Sequence, residues 1–344
     1  MTVGFWMLGL VASCGAQPEG ATYDAAAPDD RQRAPRDDAW ERLEAPRTHT
    51  LLAVGGDATR VFIVGDNGDE DGAHGIVLQG GAEGRLERVG LPAAPECRPG
   101  RCRWRCVSVD SEGEAIFAGA NQRAAAPQPV MTWDGRTARP VEGLADPYFG
   151  WFSCVSGGPG ERALGGGYGV VALQRGGVWS IETVDEDPQR NPYFRGWIAG
   201  LWRLSGAALW AVGGDESGHG AAIFAREGDR WRAVSRAPAR ARYEALWAAD
   251  AETVIAVGGG GQIDTLSPRG VSSRTVGSAT LRGVWGRSAR DVWAVGDGGT
   301  VLHFDGAAWS RVEVPTRADL YGVWGRGERA LWIVGADGTA LSRR

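Results

Sequence analysis

The sequence predicts an all-β chain, a seven-bladed β-propeller of four-stranded blades whose last blade is closed by an N-terminal strand. Three observations carry this. A motif of glycine, tryptophan and β-branched residues recurs seven times along the chain, at about the 40–45-residue period of a propeller blade. Glycine supplies 54 of 344 residues and tryptophan 16. That glycine density disfavours long helices, at about 1 kcal/mol per helical site relative to alanine, and so much aromatic bulk does not suit a disordered chain. Finally, the two ends of the chain supply complementary parts of one blade.

Composition sets further bounds. The glycines follow no strict Gly-X-Y period, which excludes collagen. The net charge is -5 and every basic residue is arginine. A negative balance argues against nucleic acid as a partner.

At the N-terminus, residues 1–14 read MTVGFWMLGLVASC. The apolar run Val3–Val11 is too short to span a bilayer as a mature helix but suits the core of a signal peptide. It ends in Val11-Ala12-Ser13-Cys14, which resembles the lipobox of bacterial lipoproteins. The resemblance implies cleavage before Cys14 and lipidation of its sulfur. Gly15 stands where inner-membrane lipoproteins carry an acidic residue, which implies export to the outer membrane, on its periplasmic side or the cell surface. A secreted protein is the alternative. Residues 15–38 hold one aromatic and no apolar periodicity and are expected to be a disordered tether. The propeller is expected over 39–344.

Cys97, Cys102, Cys106 and Cys154 make an even set in an exported chain, which suggests two disulfides. Their spacing does not match paired CxxC metal knuckles. The short Arg-Pro-Gly-Arg turn favours Cys97–Cys102. Cys106 and Cys154 hold equivalent sites in neighbouring copies, which favours Cys106–Cys154. Cys97–Cys106 with Cys102–Cys154 is the competing pairing.

The clearest copies of the repeat are LRGVWGRSARDVWAVGDGGT from Leu281 and LYGVWGRGERALWIVGADGT from Leu320. Five weaker copies align, with first-strand anchors at Ala53, Val107, Val155, Leu201, Leu246, Val284 and Val323. In each unit a GVWG-like strand precedes a DVWAVG-like strand rich in β-branched and aromatic residues. A third strand, Thr300–Phe304, ends at the turn Asp305-Gly306, and a fourth runs from Trp309 to Val314. Apolar runs such as VWAV fit sheets buried on both faces. The seventh copy stops before its fourth strand, and Trp40-Glu41-Arg42-Leu43 resembles the missing piece. Closure of that kind removes exposed sheet edges.

Over residues 40–344 the chain resembles the exported propellers of GC-rich Gram-negative bacteria that carry repeats of the type DVWAVGDGGTVLHFDGAAW. It is more distantly similar to Asp-box (BNR) and photosystem II assembly-factor propellers. The resemblance implies the fold and no particular activity. Ser108–Gly113 has one residue too many for an Asp-box, and WD-repeat and kelch signatures are absent.

Insertions concentrate in the connections between second and third strands and between blades, which emerge on one face: 66–75, 90–104, 120–129, 144–151, 185–197 and 214–220. Loops on a rigid scaffold commonly carry recognition. Two of them repeat each other, Asp146–Trp151 and Asn191–Trp197. The candidate binding residues are Tyr148, Phe149, Trp151, Tyr193, Phe194, Trp197, Trp104 and His219, since aromatics offer large contact area at low entropic cost. For Trp151 and Trp197 the favoured reading is inter-blade packing. Asn67, Asp69 and Asp71 have a spacing that can surround Ca²⁺, but Leu78 stands where an EF-hand carries Glu, and a solvated acidic turn is favoured with no cofactor required. A Ser-His-Asp triad could draw only on His49, His74, His219 and His303, none in a GxSxG context.

The functional expectation is a non-catalytic binding or assembly module of the cell envelope, touching the membrane only through its lipid anchor and recognising a glycan or a protein through one propeller face. The alternative is a glycoside hydrolase or lyase with carboxylates at the channel mouth.

Overall fold

The computed structural model describes residues 39–66, 75–81, 85–91, 102–110, 112–121, 129–144, 152–158, 161–184, 196–204, 208–215, 221–236 and 242–344. The strands in these segments form seven antiparallel four-stranded sheets, the blades of a seven-bladed propeller. First among the described residues is β1 (Glu41–Arg42). Blade 1 is β2 (Leu51–Gly56), β3 (Val61–Gly65), β4 (Val77–Gly80) and β5 (Leu86–Arg88). Blade 2 is β6 (Cys102–Val109), β7 (Ala115–Asn121), β8 (Val130–Trp133) and β9 (Ala138–Pro140). Blade 3 is β10 (Phe152–Gly158), β11 (Glu161–Gly166), β12 (Val170–Arg175) and β13 (Val178–Thr183). Blade 4 is β14 (Gly196–Arg203), β15 (Leu209–Asp215), β16 (Ala221–Glu227) and β17 (Arg230–Arg236). Blade 5 is β18 (Tyr243–Ala248), β19 (Val254–Gly258), β20 (Gln262–Ser267) and β21 (Gly270–Thr275). Blade 6 is β22 (Leu281–Ser288), β23 (Asp291–Gly296), β24 (Thr300–Phe304) and β25 (Trp309–Arg311). Blade 7 is β26 (Leu320–Arg326), β27 (Ala330–Gly335) and β28 (Ala340–Arg343), with β1 as its outer strand.

The inner strands β2, β6, β10, β14, β18, β22 and β26 touch one another in a closed cycle, β26 returning to β2. Second strands are buried along their whole length where they read VFIVG and VIAVG, whereas outer strand β21 is exposed throughout. A hydrophobic cluster fills each of the seven seams between blades. This accounts for the apolar runs in the second strands, because both faces of each sheet are covered.

The GVWG motif is explained by those seams. The tryptophan of one blade lies over the second glycine of the next: Trp247 on Gly286, Trp285 on Gly325, Trp324 on Gly56. A Cβ at Gly286 would stand 2.8 Å from the Trp247 ring, and one at Gly56 2.8 Å from the Trp324 ring. Glycine is needed there for close approach, not for an unusual φ.

The N-terminal closure is present as the sequence predicts. Glu41 pairs with Ser342 and Arg42 with Leu341, and the Leu43 N–H donates to Ala340 O at 2.8 Å. Leu43 is buried in the seam between blades 7 and 1. Trp40 turns the other way, into the seam between blades 6 and 7, with its ring edge-on to Trp293 at 6.4 Å. The short strand therefore staples blade 7 to both neighbours.

Two details differ from the sequence reading. The fourth strand of blade 6 ends at Arg311, before Val314. In blade 1 the residue equivalent to the other anchors is Val54, not Ala53, since Val54 pairs with Ile63 as Val107 pairs with Phe117. The cause is the first hairpin, which closes from Asp57 to Arg60 and is one residue shorter than Asp110 to Glu114 in blade 2.

That hairpin also latches blade 1 to blade 2. Asp57 Oδ1 accepts the backbone N–H of Thr59 and of Arg60, each at 2.7 Å, and Oδ2 accepts Arg60 Nη2 at 2.8 Å. The same guanidinium donates to Gly113 O across the seam. Burial pushes the Asp57 pKa up, but the hydrogen bonds from Thr59 and Arg60 outweigh it and hold the value at about 2. A folded pKa below the unfolded one stabilises above about pH 4, and that stability is lost as pH falls toward 2. Urea unfolding across this range is expected to show Asp57→Asn weaker than wild type by about 1–2 kcal/mol at neutral pH, with the difference vanishing near pH 2. A constant gap at all pH values would contradict the assignment.

Candidate functional site

Inner strands hydrogen-bond only to their second strands, so their free edges face the propeller axis. Each has a register break in the same place, where the ladder skips Leu52, Arg105, Ser153, Ala199, Glu244, Arg282 and Tyr321 in turn; blade 6 has a second break at Arg287. A bulge ejects one residue from the ladder and re-aims it. The residue just before each bulge is buried in every blade: Leu51, Trp104, Phe152, Ile198, Tyr243, Leu281 and Leu320. In the six blades where its side chain is described, the ejected residue is therefore presented at the channel mouth. Because bulges follow the between-blade connections directly, this mouth lies on the face of the insertion-rich loops.

One residue earlier than the buried position a second ring forms, comprising Thr50, Arg103, Trp197, Arg242, Thr280 and Asp319, with Trp151 as the sequence equivalent in blade 3. Neighbouring members touch: the Arg242 guanidinium lies 4.8 Å from the Trp197 ring centroid. In the bulge ring, the Arg282 guanidinium lies 5.4 Å from the Tyr321 ring centroid and forms an ion pair with Asp297, Nη2 to Oδ2 at 3.2 Å. Asp319 Oδ1 accepts the Gly298 N–H at 2.8 Å.

Electrostatics follow this packing. Burial raises the Glu244 pKa, with Arg282 and Arg242 opposing and Asp297 adding. Burial also raises that of Tyr321, helped by Asp319. The hydrogen bond to Asp297 raises that of Arg282 against burial. Blades 5 to 7 thus hold an interlocked set of charges. Arg105 differs. It is open to solvent, yet desolvation lowers its pKa most, with Cys106 opposing and the Arg103 charge adding to the depression.

The structure places few of the sequence-predicted site residues at this mouth. Trp197 is there, half-buried, with its ring against Gly214 and beneath Arg242. Trp104, expected as a binding residue, is instead core: it is 3% exposed and packs edge-on to Phe117 at 6.2 Å in the seam of blades 1 and 2. It occupies the inward-facing position before the bulge, which large aliphatic or aromatic side chains fill in all seven blades. Tyr148, Phe149, Trp151, Tyr193, Phe194 and His219 lie outside the described residues, as do the calcium candidates Asn67, Asp69 and Asp71, and Cys14 and Cys97. β6 carries Cys102 and Cys106 and adjoins β10, which carries Cys154; the side chains of Cys102 and Cys154 lie outside those described. Among the described residues no group of three or more His, Cys, Asp and Glu could hold a metal ion.

Of the histidines considered for a triad, His49 is buried and bonded to Thr48. His303 is structural. Its Nε2 meets Asp291 Oδ1 at 2.8 Å, the same oxygen accepts Trp293 Nε1–H at 2.9 Å, and its ring stacks on Trp293 at 4.2 Å. The Asp-Val-Trp and His of the repeat are thus one cross-strand packing unit.

No family model matches the sequence, and no curated protein matches it significantly. Solved structures do match. "YCF48 bound to D1 peptide" has a TM-score of 0.66 at 17% identity, covering 88% of this chain and 94% of that one. "YCF48 from Cyanidioschyzon merolae" has a TM-score of 0.67 at 20% identity, covering 89% and 98%. The WD40 β-propeller domain of Doa1 has a TM-score of 0.64 at 13% identity, covering 88% and 95%. At these identities the likeness concerns the fold.

Proposed function

We propose that this propeller is a non-catalytic module that grips a segment of a protein partner across the channel mouth. The observation that carries the reading is the bulge ring. A repeat whose core positions are nearly uniform presents Leu52, Ala199, Glu244, Tyr321 and the arginines Arg105 and Arg282 there. Sites of recognition combine a rigid scaffold with such non-repeating side chains. The similar fold of YCF48, solved with a D1 peptide, supports a peptide segment as the ligand. A glycosidase would need a pair of carboxylates open to a sugar; at this mouth Asp297 is held by Arg282, Asp319 by the Gly298 N–H, and Glu244 lies near the charges of Arg282 and Arg242. The lipobox-like Val11–Cys14 supports placing the module on the outer membrane by a lipid anchor.

A peptide array probed with the full chain tests this. Peptides selected by wild type are expected to be lost with Leu52→Ser/Tyr321→Ala and retained with the outer-strand variant Val271→Ser. Retention by the mouth variant with loss by the outer-strand variant would contradict the reading.

A further inference from the structure

Arg282 in blade 6 and Arg105 in blade 2 hold the same bulge position. In blade 6 the counter-charge comes from Asp297, the residue after the glycine that ends the second strand. In blade 2 that place is taken by Ala120, which follows Gly119. The cation is kept and its partner is gone. Arg103, two residues earlier on the same strand, adds a second exposed guanidinium. Neither has a carboxylate partner among the described residues, and the two repel each other.

The other arginines of the two rings are occupied, Arg282 by Asp297 and Arg242 by the Trp197 ring. Around Tyr321 the charges are Asp297, Asp319, Asp337 and Arg282, an acidic excess. Among the described residues the mouth is therefore polarised, acidic at blades 5 to 7 and cationic at blade 2. Planar guanidinium groups receive carboxylates bidentately. Two like charges brought together on one strand edge are relieved when an anion sits between them.

We propose that Arg103 and Arg105 form an anion-receiving pole that takes the carboxylates of an acidic peptide segment, a proposal that rests on the binding role given to the mouth above. The acidic blades opposite set the direction in which such a segment lies.

The test uses the full chain and end-blocked tetraglutamate, with end-blocked tetraglutamine and inorganic phosphate as comparison probes. Tetraglutamate is expected to bind, to weaken as salt rises, and to lose about tenfold or more in affinity with Arg105→Gln and again with Arg103→Gln. Arg105→Lys retains part of the affinity, which separates charge from misfolding, and outer-strand Arg274→Gln changes nothing. Tetraglutamine is expected not to respond to these substitutions. No binding of tetraglutamate, equal affinity in the Arg→Gln variants, or tighter binding of phosphate than of tetraglutamate would each overturn the assignment. If array peptides still depend on Leu52 and Tyr321 while ignoring Arg103 and Arg105, the pole fails and the binding role of the mouth stands. If they ignore Leu52 and Tyr321 as well, that binding role fails too.

Discussion

Deletion of residues 39–45 is expected to destabilise the propeller by about 4–6 kcal/mol, a sum over Leu43, Trp40 and the lost strand pairing. Leu43 is 5% exposed in the seam of blades 7 and 1, so its burial alone is worth about 1.5–3 kcal/mol. Trp40 adds its contact with Trp293 in the opposite seam. The deletion also turns β28 into an open sheet edge and uncovers Ser342, 1% exposed in the intact fold. Leu43→Ala alone should cost about 2–4 kcal/mol by leaving a cavity. Urea unfolding followed by tryptophan fluorescence checks both. A loss under about 1 kcal/mol for the deletion would mean the ring holds without its N-terminal strand.

The second large effect is expected in blade 5. Asp264 is 2% exposed and occupies a core position where the other blades carry Leu78, Met131, Ala172, Phe224, Leu302 and Leu341. Its Oδ2 accepts the Tyr243 hydroxyl and Gln262 Nε2–H, the latter at 3.0 Å, while Oδ1 has no hydrogen-bond partner. Burial and this carboxylate push the Tyr243 phenol far above its ordinary range, so it remains a donor. Tyr243→Phe strands a buried charge and should cost about 2–4 kcal/mol. Asp264→Leu leaves the phenol and amide unpaired and should cost about 1–3 kcal/mol. The double variant Tyr243→Phe/Asp264→Leu restores the apolar pattern of the other blades and should come within about 1 kcal/mol of wild type, or exceed it. Losses that simply add in the double-mutant cycle would contradict this coupling.

The architecture was legible because seam packing is written into adjacent residues. Trp285 and Gly286, or Trp324 and Gly325, stand side by side in the chain while each contacts a different neighbouring blade, so the pair survives as a motif. Closure was legible for the same reason, since Trp40 and Trp309 each fill a seam beside blade 6. The mouth was not legible. A bulge is a relation between two strands, and nothing in Trp104-Arg105-Cys106 announces which residue leaves the ladder until Gly119 and Ala118 are paired with its neighbours. Trp104 drew attention as an aromatic near a long loop, whereas the ejected residue beside it is Arg105. Asp264 is not legible either, because one carboxylate in Gln-Ile-Asp-Thr-Leu-Ser reads as an ordinary half-exposed strand.

Recognition at the channel mouth has a direct test. A photo-cross-linking residue placed at Ala199 of the bulge ring, and separately at Ser272 on outer strand β21, tests it in cells producing the full chain. A discrete protein adduct is expected from position 199 and none from position 272. An adduct from position 272 alone would contradict recognition at the mouth.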